Sequence, residues 1–419
     1  MTAIMKTSDS SARPSDPTWL DIATVEAACQ VAPTTAGSIE IVDDCARFEA
    51  LEPEWNRLHR KAGRRHHLAF QSHVWLSKWC AAFTVDRPDA STRLAIAVVR
   101  QGDTVCLICP FAVHRRYGIS RLIWMGQPAS QYGDVLLDPE RASSIEIAIA
   151  FNRVLEHVAP DVVDLRRVRE DSAIAPFLKA RGAAVTGQNH APFTDFTKLS
   201  SAEDYAARFS AKALKNRRRL RRRLEEKGAI RFEILPPGNA AADAMGLGLD
   251  FKRDWLVRRG EIYSALCDQK LRDFLVTATR WHDGNFKPFV SVMCCGDEAI
   301  SVQFGIVTDG RLALHMIAYK SAWEKAGAGV LHIEETITHC IASGVRELDF
   351  LGPDAPYKRV WSDAAVTVND YILAETLKGR VVEKVVLGGN RARLKDLLSR
   401  LPHAVRHRIA RRLQHRPAR

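Results

Sequence analysis

The sequence predicts an α/β (α+β) fold of two related halves, each with a mixed central sheet flanked by helices. Three observations predict it. At 419 residues the chain is too long for one ordinary core and suits two or three domains. The order strand, strand, strand, helix, strand occurs twice. The second occurrence follows the first at a nearly constant spacing, 194 residues between the hairpin turns at Gly102 and Gly296 and 190 between the next strands.

The repeat begins with a hairpin. Residues 94–113 (LAIAVVRQGDTVCLICPFAV) and 289–307 (FVSVMCCGDEAISVQFGIV) each read as strand, Gly-Asp turn and strand. A third strand follows, Arg121–Met125 matching Arg311–Met316. Helical stretches come next, near 143–157 and 329–343. A strand with a central acid closes each set: Val162–Arg166 with Asp164, and Glu347–Leu351 with Asp349. This register places the first half at about 38–195 and the second at about 196–390, joined at the polar segment Gln188–Pro192. A basic helix over about 203–227 opens the second half and stops at Gly228. Residues 1–37, rich in Ser, Thr, Asp and Pro at their start, read as a disordered lead-in, and 391–419 as a basic tail.

Composition is that of a globular protein, 46% hydrophobic and 26% charged. No run approaches the ~18 apolar residues of a membrane span, and the start lacks a secretory apolar segment, so a cytoplasmic protein is expected. The nine cysteines are scattered. Cys106 and Cys109 lie on a strand, where a spacing of three puts their thiols on opposite faces, and they read as buried and reduced. The net charge of +12 is uneven: residues 212–223 contribute +8 and 391–419 contribute +9, leaving the body at −5. Basicity confined to one helix and one tail argues against a broad nucleic-acid-binding face.

Hydrolase, P-loop and metal readings find no support. GxSxG and GxxxxGK[ST] are absent, and His332, Glu334, Glu335 and His339 lack the HExxH spacing, so no metal is expected. Three segments carry candidate chemistry. Tyr319–Val330 (YKSAWEKAGAGV) leads from a strand through Gly327 and Gly329 into a helix. Its free N–H groups suit a pyrophosphate, although an ordinary loop before a helix reads the same way. Glu347–Trp361 (ELDFLGPDAPYKRVW) ends a buried strand at Asp349, turns at Gly352-Pro353 and continues to Tyr357 and Lys358. A catalytic acid and a turn cap are both open readings there. Asp250–Gly260 (DFKRDWLVRRG) sets Arg253 and Trp255 on a helix that lines a cleft or faces solvent.

These residues resemble the BioF-like/CelD-like group of the GNAT acetyltransferase superfamily, a group related to the FemAB aminoacyl transferases. The resemblance covers about 45–375. It rests on Phe70-Gln71-Ser72-His73-Val74-Trp75 with Trp79, Cys109-Pro110-Phe111, Tyr132-Gly133-Asp134 and the basic helix Ser210–Arg223. Gly329-Val330-Leu331 and Asp349-Phe350 with Gly352 and Tyr357-Lys358-x-x-Trp361 complete it.

The resemblance implies two tandem GNAT-like folds with the acyltransferase site in the second. It implies an acyl-CoA co-substrate, acetyl-CoA first, and no permanently bound cofactor. Backbone groups at Met316, Ile317 and Ala318 would polarise the carbonyl, and Gly327, Ala328, Gly329 and Val330 would hold the pyrophosphate. Asp349 would orient or deprotonate an amine or hydroxyl acceptor on a sugar, polysaccharide precursor or small metabolite. Tyr357 would return a proton to the thiolate, with Lys358 beside it, and Arg253, Trp255, Tyr132 and Asp134 would touch substrate. Glu324 stands where the GNAT loop usually has a basic or amide residue, which keeps two alternatives: a FemAB-like transferase using charged tRNA, and a non-catalytic module in polysaccharide or envelope assembly. The tail's stripe of Val405, Ile409 and Leu413 among arginines suits peripheral contact with an anionic membrane.

Overall fold

Runs rich in Val, Ile, Leu and Ala recur along the chain, and their backbone groups join into one continuous sheet. The computed structural model describes residues 37–63, 67–84, 91–199, 201–260 and 268–387. In chain order the strands are β1 (Gly37–Val42), β2 (Thr92–Gln101), β3 (Thr104–Arg116), β4 (Ile119–Trp124), β5 (Leu136–Leu137), β6 (Val162–Arg169), β7 (Ala184–Asp195), β8 (Ile230–Leu235), β9 (Lys287–Cys295), β10 (Glu298–Thr308), β11 (Arg311–Tyr319), β12 (Glu347–Asp349) and β13 (Ala364–Ala374). The helices are α1 (Cys45–Ala50), α2 (Glu52–Gly63), α3 (His73–Phe83), α4 (Ser144–Val158), α5 (Ala175–Ala180), α6 (Ala202–Ala206), α7 (Ala211–Glu225), α8 (Asn239–Arg259), α9 (Gln269–Ala278), α10 (Ala328–Ala342), α11 (Pro356–Trp361) and α12 (Leu377–Leu387).

The sheet order is β1-β2-β3-β4-β6-β13-β7-β12-β11-β10-β9-β8, with β5 on β3. It reads as a palindrome of the repeat: β2–β3 answers β9–β10, β4 answers β11, and β6 answers β12. Both hairpins turn on a glycine with positive φ, Gly102 at 57° and Gly296 at 60°. The helices α4 and α10 fill the same slot in each half. A capping box of Ser143 and Glu146 starts α4. At the centre the halves exchange their last strands: β13, from the second half, pairs with β6, and β7, from the first, pairs with β12. The two strands lie antiparallel to one another along 184–193 and 364–372. The mixed α/β architecture matches expectation, but the two sheets are fused into one.

Three local expectations are corrected. The segment Gln188–Pro192 runs through β7 and does not form a link; its polar side chains face outward while its backbone pairs with β13. The basic helix is broken, with α6 ending at Ala206 and α7 starting behind the N-cap Ser210, whose side chain accepts from the Ala213 N–H. Cys106 and Cys109 are both buried in the same apolar cluster, because the β2–β3 register slips between Val99 and Arg100 and turns Cys106 across. Burial pushes both thiols above their usual range, so both are protonated.

One apolar core runs under both halves. Trp75 of α3 meets Phe274 of α9 edge to face, ring centroids 4.8 Å apart. Gly248 of α8 packs its backbone against Met316 and Val302, where a Cβ would lie 2.7 Å from the Met316 methyl. That close approach seats α8 on β10 and β11.

Candidate active site

Two parallel strands that start side by side in the second half come apart. β11 and β12 pair only from Arg311–Glu347 to Ala313–Asp349. Beyond that point β12 turns away through Leu351, which has positive φ (57°), and Gly352. β11 continues past a bulge: Ile306 pairs with Ala313, yet Phe304 pairs with Met316, so one extra β11 residue is fitted between. A cavity of about 380 Å³ occupies the wedge. Leu314–Ile317 form one wall and Phe350–Pro353 the other, with Leu249 and Trp255 of α8 across the top and Tyr357 and Lys358 of α11 beside them.

The corresponding wedge in the first half is filled. β4 and β6 also pair over only two positions, Arg121–Val162 and Leu122–Val163. The chain after β4 then folds back into the gap. Gly133 N–H donates to Arg167 O at 3.1 Å, and Arg167 Nη1 donates to Ser130 O at 2.6 Å. Gly133 lies so close to the Trp124 indole that a Cβ would come within 2.2 Å of its nitrogen. Asp134 locks the plug, accepting from the N–H groups of Val135, Ala173 and Ile174.

The open wedge presents a backbone donor. Lys320 N–H donates to Ile300 O, which fixes the alternation of the β10–β11 ladder. Met316 and Ala318 therefore bond toward β10. Ile317 turns its N–H and C=O to the side that β12 has vacated.

Lys358 supplies the cavity's buried charge. Its Nζ donates to Leu351 O at 2.7 Å and to Pro353 O at 2.8 Å, leaving one of its three donors for the cavity. Burial pushes the ammonium down to about 8. Tyr357 stands at the mouth, and packing around it, with Tyr319 nearby, pushes its phenol up to about 12. Trp255 donates its indole N–H to Tyr319 Oη at 3.1 Å. His315, on the bulge, also lines the wall; its Nε2 lies 3.1 Å from Ala129 O, and burial lowers the imidazole to about 4, so it is neutral at physiological pH.

Asp349 lies beneath the floor and not on it. Its carboxylate accepts from Tyr132 Oη (3.0 and 2.9 Å), Arg169 Nη1 (2.8 Å) and Leu351 N–H (2.7 Å). Complete burial raises its carboxyl, and Arg169 opposes that rise. His67, Glu347 and Asp349 bring ligand atoms within 4.8 Å of one another. Arg169 already balances the Asp349 charge, so the group reads as an ion network rather than a metal centre.

The structure thus brings Met316, Ile317, Trp255, Tyr357 and Lys358 to one cavity. It places Tyr132 and Asp134 in the buried plug and Asp349 under the floor. Arg253 pairs with Asp250 at 3.2 Å and is not among the residues lining the cavity. Gly327, Ala328, Gly329 and Val330 begin α10 but do not line the cavity either. Packing accounts for the two glycines: Gly327 has φ of 86° and abuts Leu220 of α7, and Gly329 abuts the Tyr319 ring. Sequence reasoning missed His315, Lys252 and Leu249. Only the helical spacing of Leu249, Lys252 and Leu256 with Met245 signalled a shared face, and that pattern is common to any packed helix.

Comparison with known proteins bears on the same region. Residues 211–359 match the acetyltransferase (GNAT) domain family. Sequence comparison with curated proteins finds no match. Among solved structures, FemX superposes with a TM-score of 0.54 at 10% identity, covering 77% of this chain and 96% of FemX. L-PGS from Bacillus licheniformis gives 0.48 at 11% identity, covering 81% and 98%. A tandem GNAT protein from the clavulanic acid biosynthesis pathway gives 0.44 at 14%, covering 80% and 98%. The matched residues, 211–359, hold the open wedge, and through them the chain is similar to the acetyltransferase (GNAT) domain family.

Proposed function

We propose that the protein transfers an acyl group from acyl-CoA to an amine or hydroxyl acceptor in the β11–β12 wedge. One observation carries the reading: among the described residues the fold repeats the wedge, and the copy inside the matched domain is open while the first-half copy is filled. The acceptor's lone pair attacks the thioester carbonyl carbon. Ile317 N–H, and the free donor of Lys358, face the developing oxyanion. The C–S bond then breaks, the acceptor loses a proton to solvent, and the thiolate takes one from Tyr357. Asp349 acts through Leu351, whose N–H it holds and whose carbonyl anchors Lys358. The α10 start would receive the pyrophosphate, with Glu324 kept off it by the Tyr319 hydroxyl at 3.3 Å. The acceptor we propose is a sugar, polysaccharide precursor or small metabolite. Titration calorimetry with acetyl-CoA tests the donor; no heat at millimolar ligand removes it.

A second reading has one observation behind it. Six cations of α7, namely Lys212, Lys215, Arg218, Arg219, Arg222 and Arg223, are exposed, while Arg217 and Arg221 pair with Glu334 and Glu335 of α10. Leu220 on the same helix touches Gly327. A charged-tRNA donor would use this face, and its activity would fall steeply with salt. Salt-insensitive turnover of a small thioester excludes it.

A further inference from the structure

At the end of the described chain, α12 packs one side against β13 and β6 and leaves the other bare. Its position is fixed at the N-terminus. Thr376 Oγ1 donates to Asp161 Oδ1 at 2.8 Å and accepts from Gly379 N–H at 3.1 Å. The Glu375 and Thr376 N–H groups both donate to Asp161 O. Gly379 sets the rotation: a Cβ there would lie 1.8 Å from Asp161 O, so this side of the helix must face inward. The face roughly opposite carries Leu377, Val381 and Val385, spaced four apart and 78%, 63% and 52% exposed. Lys378 borders this stripe on one side, Arg380 and Lys384 on the other, all exposed; the helix's one acid, Glu383, lies on its half-buried flank.

We infer that this face of α12 docks on an anionic lipid bilayer, with the three aliphatic side chains entering the headgroup boundary and the three cations meeting lipid phosphates. Neither feature alone selects that partner. An aliphatic stripe offers a nucleic acid nothing to bind, and flanking cations oppose a second copy, because pairing this face with itself sets cation rows against each other. Apolar centre with basic rim is the pattern of a helix lying in a membrane interface. The sequence that follows continues it: residues 391–419 hold ten Lys and Arg and one acid, Asp396. The inference does not depend on which acyl donor is used.

The test is co-sedimentation of the full chain with vesicles of phosphatidylcholine alone and with phosphatidylglycerol added. Binding is expected to the anionic vesicles only, and is released by salt at about 0.5 M. The variant L377N/V381N/V385N alters exposed positions and is expected to keep the parent's melting temperature while partitioning about tenfold more weakly. K378Q/R380Q/K384Q is expected to weaken binding as well. Anionic binding that both variants leave unchanged would assign attachment to the tail and overturn the role of α12. So would absence of binding at low salt, or a parent dimer that the aliphatic variant converts to monomer.

Discussion

The Tyr132 hydroxyl donates to both carboxylate oxygens of Asp349, at 3.0 and 2.9 Å, across 217 residues of sequence. Arg169 joins them, 2.8 Å from the same carboxylate and 5.1 Å over the Tyr132 ring. The first half therefore supports the site from below, besides lending Gln131 to the cavity wall. It holds Asp349, which holds the Leu351 backbone, which anchors Lys358. Tyr132→Phe removes one buried hydrogen bond to a charged group and should cost about 1.5–3 kcal/mol of stability. Arg169→Met strands the Asp349 charge and should cost more, about 3–5 kcal/mol. Urea unfolding of each full-length variant measures both, and equal costs would contradict the network.

The pH dependence of folding follows from Glu347. Burial, and Asp349 beside it, push its carboxyl up to about 7. A folded-state value above the unfolded one means that the folded protein binds the proton more tightly. The resulting stability is fully present below about 4.5 and is lost as the pH rises through about 7. Glu347→Gln cannot ionise and should flatten the stability curve across that window. Melting temperatures of parent and variant at a series of pH values show it; parallel curves would refute the assignment.

Turnover should depend on Lys358 in its ammonium form. Its folded value near 8 lies below that of a free lysine, so activity should fall as the pH rises through about 8. Stability shifts in the opposite sense over the higher range: the unfolded chain holds the extra proton, and the folded state gains from about 8 upward. Lys358→Met should lower kcat by about 10²–10³-fold, the cost of one oxyanion donor, with KM for the donor little changed. A loss confined to KM would make Lys358 a binding group only.

The fold was legible in the sequence because its signals are local. Hairpin turns at Gly102 and Gly296, helix periodicity and the buried strand with a central acid each announce themselves within a few residues, and their repetition fixed the pairing of elements between halves. What escaped was non-local. Nothing in Ala184–Asp195 tells that its partner is Ala364–Ala374, because strand pairing across 171 to 188 residues leaves no mark on either segment. The same limit applies at the site. Asp349 stands out as a strand-end acid and Tyr132 through the family resemblance, but the contact between them removes both from the cavity wall. His315 was missed because a histidine in an apolar strand looks like any core residue until the bulge turns it toward the wedge.

Substitution can separate the role of the Ile317 backbone from that of its side chain. The β10–β11 ladder leaves this N–H on the vacated side, so replacing it removes no sheet hydrogen bond. Proline is tolerated in a strand where its missing N–H faces away from the partner, and Ile317 meets that condition. Ile317→Pro should therefore keep the circular dichroism spectrum of the parent and lose kcat by about 10²–10³-fold, as removal of an oxyanion donor does elsewhere. Ile317→Val keeps the N–H and trims one methylene, so it should stay within about threefold of the parent. The same proline at Met316 breaks a ladder bond to β10 and should cost folding instead. A folded Ile317→Pro variant with full activity would show that the acyl carbonyl is polarised elsewhere. It would shift the oxyanion role to a side-chain donor on the cavity wall, Lys358 first.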